Sequence, residues 1–195
     1  PGISHKMINL SEKMPRRDSM ALSGLAGFFL KLSGWKMVGD MPNESKLIIC
    51  VAPHTTNWDF VHAASFILRY GIKVCIMMKK EAFFWPVDKL WRWLGFVPTD
   101  RKAGRSALSD AIDLMHDSDE CWLVVTPEGT RSKVKRWKSG FLRISHSANV
   151  PIVTLALDYP SKTMTFGPLV YPEGEIDTQL AEIVEYFSDY RGKYV

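Results

Sequence analysis

Three polar clusters in this 195-residue chain carry side chains able to do chemistry. In Pro53-His54-Thr55-Thr56-Asn57-Trp58-Asp59 a histidine precedes a carboxylate by five residues. A histidine at the end of a strand and an aspartate in the first turn of the next helix can form a couple. The carboxylate accepts from one imidazole nitrogen, fixes the tautomer and leaves the other nitrogen free as a base. Such a pair needs no protein nucleophile when the substrate brings its own hydroxyl. Spacing alone leaves a second reading open, a helix cap by Thr55 or Asn57 beside an incidental histidine.

The second cluster is Thr126-Pro127-Glu128-Gly129-Thr130-Arg131-Ser132. A glycine-containing turn with free N–H groups, two hydroxyls, a carboxylate and an arginine suits a phosphate or a polyol, and fits an ordinary polar turn as well. Lys133, Lys135, Arg136 and Lys138 follow, interleaved with Val134 and Trp137; they form either an anion funnel or a solvated face. The third cluster, Gly95-Phe-Val-Pro-Thr-Asp-Arg101-Lys102-Ala-Gly-Arg105, offers cations that hold a phosphate or decorate a helix start. No P-loop, dinucleotide fingerprint, Gly-x-Ser-x-Gly elbow or zinc-ligand spacing is present. His5, His62, His116 and His146 lack partners at useful spacing and read as structural or exposed.

Apolar runs and helical patterns must position these clusters. Residues 46–52, 73–78, 121–126, 150–157 and 162–170 read as strands, with a short strand-like piece at 95–98. Helical patterns cover 57–70, closed by Gly71, then 81–94, 105–116, 141–148 and 178–190. Near the N-terminus Leu22, Leu25, Phe29 and Leu32 recur at helical spacing, in a stretch shorter than the roughly 20 apolar residues a spanning helix needs. Two readings of that helix stay open, packing on the core or docking at a membrane surface. Continuous apolar strands alternating with helices predict an α/β fold: a mixed, mostly parallel sheet covered by helices on both faces. Phe83, Phe84, Trp85, Trp91 and Trp93 are material for an apolar groove or for the core.

The size suits one domain, and 46% hydrophobic residues suffice for a sizeable core. We assign residues 1–20 to an N-terminal segment and 21–195 to a single domain. The first twenty residues mix charges with no apolar block, so no signal peptide is expected, and residues 1–6 read as a tag remnant or a processed end. A net charge of +4 permits acidic ligands and anionic lipid surfaces, and is too small to argue nucleic acid. Cys50, Cys75 and Cys121 are odd in number and lie in apolar runs; they read as reduced thiols of a cytoplasmic protein.

Taken in order, the clusters resemble the four sequence blocks of the glycerol-3-phosphate and 1-acylglycerol-3-phosphate (lysophosphatidate) acyltransferase family. His54-Thr-Thr-Asn-Trp-Asp59 is similar to its HxxxxD block, Gly95-Phe-Val-Pro-Thr-Asp-Arg101 to the second, Pro127-Glu-Gly-Thr-Arg-Ser132 to the third and Val150-Pro-Ile-Val-Thr-Leu-Ala-Leu157 to the fourth. Pro53 departs from the pattern, since many members have Asn there.

The resemblance implies direct O-acyl transfer from acyl-CoA or an acyl carrier protein thioester to a lysophospholipid or glycerophosphate hydroxyl. His54 would act as base and Asp59 would orient it. Arg101, Glu128, Gly129, Thr130, Arg131, Ser132 and, more weakly, Lys138 would bind the acceptor, with no metal or redox cofactor. Expected partners are the thioester donor, the lipid acceptor and an anionic membrane touched peripherally at its inner face, with no nucleic acid. Rival readings are a lyso-aminolipid or other hydroxylated acceptor, and a non-catalytic lipid- or acyl-thioester-binding protein of the same fold.

Overall fold

The structure, a computed structural model, describes residues 11–17, 20–99, 106–132, 134 and 136–194. In chain order the elements are α1 (Met20–Ser33), β1 (Lys36–Val38), β2 (Lys46–Ala52), α2 (Asn57–Tyr70), β3 (Ile76–Lys79), α3 (Asp88–Leu94), β4 (Phe96–Thr99), α4 (Ala107–Asp117), β5 (Cys121–Val125), α5 (Gly140–Ala148), β6 (Ile152–Asp158), β7 (Thr163–Val170) and α6 (Ile176–Phe187). A 3-10 turn occupies Lys80–Ala82.

The main sheet has the order β1-β7-β6-β2-β5. β2 lies at its heart, parallel to β5 through Lys46↔Cys121 to Cys50↔Val125 and parallel to β6 through Ile48↔Ile152 to Ala52↔Ala156. β6 and β7 form the antiparallel step, and β1 runs parallel to β7. The expected mixed, mostly parallel sheet is therefore present. β3 and β4 make a separate parallel ribbon. It is joined to β5 at Cys75, whose N–H donates to Trp122 O (2.8 Å) while its carbonyl accepts from Val124 N (2.9 Å).

The unbroken apolar run of β2 is explained by burial on both faces, because successive side chains alternate across a strand. Leu47, Ile49 and Val51 join Leu30, Trp35, Phe66 and Trp122 under α1 and α2. Ile48, Cys50 and Ala52 join Ala111, Met115, Phe141, Leu142 and Ile183 under α4, α5 and α6. Met14 belongs to the first of these layers, and Pro15 O accepts from Lys73 N (2.9 Å) while Arg17 N donates to Gly71 O (2.7 Å), so this segment is tied to the chain leaving α2.

Three local expectations are corrected. The helical face drawn through Leu22, Leu25, Phe29 and Leu32 is split. α1 buries Ala26 and Leu30, while Met20, Leu25, Phe28 and Leu32 face outward. The helical pattern over 81–94 yields only the 3-10 turn and α3, because Pro86 disfavours helix at Trp85 and cannot donate within one. The strand expected from residue 73 starts at Ile76. Among the described residues no helix is long and apolar enough to cross a membrane.

Candidate active site

Because β2, β5 and β6 are mutually parallel through β2, their C-terminal ends open on one edge of the sheet, where α/β folds place ligand sites. Pro53–Thr56 leaves β2 there, Thr126–Ser132 leaves β5, and Tyr159 follows β6. The chain turns from β2 into α2 at Thr56, an N-cap with φ −153° and ψ 159°. Its hydroxyl accepts from Trp58 N (3.3 Å), and Asp59, three residues on, accepts from Thr56 N (2.9 Å), a capping box. The cap is thus Thr56, not Thr55 or Asn57. Capping and the histidine couple turn out to be one arrangement, because the same carboxylate serves both. Gly71 closes α2 in the left-handed region (φ 62°), as its position after the last apolar turn predicts.

His54 Nδ1 lies 3.0 Å from Asp59 Oδ2, which also accepts from Thr55 N at 2.7 Å. Asp59 Oδ1 accepts from the Tyr159 hydroxyl at 2.5 Å. Asp59 is 3% exposed, and burial pushes its carboxyl up. The hydrogen bonds from His54, Tyr159, Thr56 and Thr55 outweigh that, and hold it below the ordinary carboxylate range. An ionised carboxylate only accepts, so Nδ1 carries the proton, and in the neutral ring the lone pair is on Nε2. Tyr159, in turn, is pushed up by burial and by Asp59, and stays a neutral donor.

Glu128 faces His54 from the β5 side. Its carboxylate oxygens accept the His54 backbone N–H at 2.9 and 3.2 Å. Burial raises the Glu128 carboxyl, and the His54 N–H offsets this only in part. Gly129 has φ +65°, and a Cβ there would meet Lys138 Nζ at 2.8 Å, so the turn needs a glycine and the lysine crosses directly over it. Thr130 turns its hydroxyl to its own loop, accepting from Ser132 N (3.3 Å). Arg131 donates from Nη1 to Asn57 Oδ1, linking the turn to the start of α2.

His54, Glu128, Arg131 and Ser132 line one cleft of about 690 Å³, together with Val134, Trp137 and residues of the 187–194 segment. Asp59 stands behind His54 and does not line it. Thr130 and Lys138 are exposed outside its lining. Arg101 lies outside the described residues, as do Lys133 and Lys135. The aromatic stretch neither lines this cleft nor fills the core. Trp91 packs edge-on against Phe96, Arg17 sits over Trp93, and Phe84 and Trp85 are exposed. Among the described residues no group of three or more His, Cys, Asp or Glu side chains gathers as a metal site would.

Two parts of the site escape sequence reasoning. One is Tyr159; its position just past the end of a buried strand was the available signal. The other is the C-terminal wall. Arg191 O accepts from Tyr159 N (2.9 Å), Arg191 N donates to Asp158 Oδ1 (3.0 Å) and Lys193 N donates to Thr55 Oγ1 (3.0 Å). A Cβ on Gly192 would stand 2.5 Å from Thr55 Cγ2, which shows how closely that segment crosses the loop bearing His54.

The Acyltransferase family model matches residues 36–158, from β1 through β6, and so spans both polar turns and Asp59. A 1-acyl-sn-glycerol-3-phosphate acyltransferase of Streptococcus pneumoniae (strain ATCC BAA-255 / R6) is 30% identical over 175 residues, covering 85% of this chain. The match spans 63% of that protein, under two thirds of its length. The crystal structure of the 1-acyl-sn-glycerophosphate (LPA) acyltransferase PlsC from Thermotoga maritima superposes with a TM-score of 0.59 at 17% identity, over 88% of this chain and 80% of that one. At that identity the likeness speaks for the fold.

Proposed function

We propose that this chain, which belongs to the Acyltransferase family, moves a fatty acyl group from an acyl thioester to the hydroxyl of a lysophospholipid or glycerophosphate acceptor. The observation that carries the reading is the His54 Nδ1–Asp59 Oδ2 contact of 3.0 Å, made where His54 borders the 690 Å³ cleft. With Nδ1 committed to Asp59, Nε2 takes the proton of the acceptor hydroxyl as its oxygen attacks the thioester carbonyl carbon. The C–S bond then breaks, the ester forms, and the proton held on His54 passes to the departing thiolate. No protein nucleophile enters the cycle, and none is needed. The acceptor phosphate is met by Arg131 and, from the second block, Arg101, with Ser132 at the acceptor's polar end and Lys138 contributing charge from outside. Glu128, in the wall of the cleft, holds the His54 backbone. The donor is acyl-CoA or an acyl carrier protein thioester.

Such substrates reside in bilayers. The outward side chains of α1, Met20, Leu25, Phe28 and Leu32, form an apolar strip suited to the surface of an anionic membrane. We place the protein peripherally on that surface.

The test is thiol release from palmitoyl coenzyme A with and without lysophosphatidate, for wild type and His54→Ala. Acceptor-dependent release should fall about 10²- to 10⁴-fold in the variant while its circular dichroism is unchanged. Release independent of acceptor would make the protein a thioesterase. Absence of release with either coenzyme A or carrier-protein thioesters, and with both phosphate and aminolipid acceptors, would refute catalysis and leave a lipid-binding protein.

A further inference from the structure

We infer that Tyr159 is a positioning residue for the histidine–carboxylate pair, holding Asp59 through the oxygen that His54 does not use; the inference rests on the general-base reading of His54. Oδ2 of Asp59 already serves three donors, Thr55 N, Thr56 N and His54 Nδ1. Oδ1 is enclosed with it and has no bulk water to turn to, since Asp59 is 3% exposed. The Tyr159 hydroxyl meets it at 2.5 Å, the short separation of an O–H donating to a carboxylate. Held at both oxygens, the carboxylate cannot turn about its Cβ–Cγ bond, and the lone pair aimed at Nδ1 stays aimed.

Tyr159 is itself held. Its ring meets Trp35 edge-on (centroids 4.9 Å apart, 84°), and Trp35 stacks on the buried His62 (4.3 Å, 23°). Its backbone N–H is bound by Arg191 O. A side chain present only to fill space would need no hydroxyl, and phenylalanine would pack on Trp35 equally well.

The hydroxyl also draws charge out of Asp59, so that His54 faces a softened counter-ion. Removing only the oxygen gives a signed effect: the Asp59 charge concentrates on the side of His54, and the imidazolium is favoured. The other groups around the pair stay in place: Glu128 beside His54, the buried His62 interacting with Asp59, Lys193 and Lys162 acting on His62, and Tyr194 near Tyr159.

The experiment titrates the His54 ring by NMR in wild type and Tyr159→Phe, alongside pH profiles of acyl transfer. The His54 midpoint should rise by about half a pH unit, a fraction of the roughly 1–3 units a full opposite charge supplies. The acidic limb of kcat/KM should move with it. kcat should fall about 10-fold with the acceptor KM within about twofold, the signature of an interaction that matters in the transition state. In an Asp59→Asn background the same substitution should leave His54 unmoved. An unchanged midpoint overturns the inference even if kcat falls, since packing alone then explains the loss. A shift that persists without the Asp59 charge overturns it too. If wild type transfers no acyl group yet the midpoint moves through Asp59, the functional reading fails and the positioning role stands.

Discussion

Replacing Glu128 separates two things that its carboxylate does. Glu128→Ala leaves the His54 N–H, bound in wild type at 2.9 and 3.2 Å, without its acceptor. Hydrogen bonds to charged groups contribute about 1.5–3 kcal/mol, and for a half-buried glutamate the lower end, about 1.5 kcal/mol, applies. In a chain of this size that is about 3–6 °C in Tm. The backbone carrying His54 also loses its tie to the β5 turn, and a displacement near 1 Å at a reacting group costs about 10²-fold, so kcat should drop about 10- to 100-fold. Glu128→Gln behaves differently, because it keeps an accepting oxygen and sheds the charge. Burial raises the Glu128 carboxyl above its unfolded value. Its contribution to stability is therefore full below the unfolded pKa and declines as pH rises through the folded one. The glutamine variant should match or exceed wild type in Tm at about pH 7, with the gap closing toward about pH 4, and should retain most activity. Thermal melts across that range with parallel thiol-release assays decide the matter. An alanine variant as stable and active as wild type would refute the anchoring role. A glutamine variant whose deficit grows with pH would refute the cost assigned to the charge.

Arg131→Ala should raise KM for a phosphorylated acceptor about 10- to 100-fold, the equivalent of one charge-assisted bond, and leave KM for the thioester and turnover with phosphate-free acceptors unchanged in steady-state assays. The Asp59 carboxyl is held below its ordinary 3.8. The stability it contributes is thus present above that pH and lost as pH falls through the folded value, and acid unfolding followed by circular dichroism should be flatter below about pH 4 in Asp59→Asn. Leu25→Glu with Phe28→Glu, both on exposed positions of α1, should weaken retention on anionic vesicles by more than about 100-fold with Tm unchanged, since each inserted side chain is worth about 1.5–3 kcal/mol. Equal co-sedimentation of variant and wild type would remove α1 from the membrane contact.

What could be seen in the sequence was what local chemistry decides. β2 and β5 are apolar on both faces because both faces are covered, and the 57–70 helix announces its ends through Thr56, Asp59 and Gly71. The histidine and carboxylate are five residues apart, so their contact follows from one turn between strand and helix. β1 was invisible for the opposite reason. Lys36-Met-Val38 has no strand-like alternation of its own and is extended because β7 offers an edge through Lys36↔Thr163. The 81–94 stretch misled because its apolar spacing continues across Pro86 while the backbone does not. Tyr159 and the Arg191–Tyr194 wall are brought to His54 by the register of β6 and the path of the chain after α6, which no short window of sequence contains.

The partners within the site are separated by 74 residues for His54 and Glu128, 100 for Asp59 and Tyr159, and 138 for Thr55 and Lys193. A ribosome-bound chain that has just released α2 already carries the histidine, the aspartate and the cap, yet has neither the clamp on the histidine backbone nor the wall that shapes the cleft. Closing such distant loops is entropically costly and happens late. The cleft beside His54 is therefore completed after the local His54–Asp59 contact, once the β5 turn and the C-terminal segment arrive. On refolding, transfer activity should return after helix content, in step with the final strand pairing.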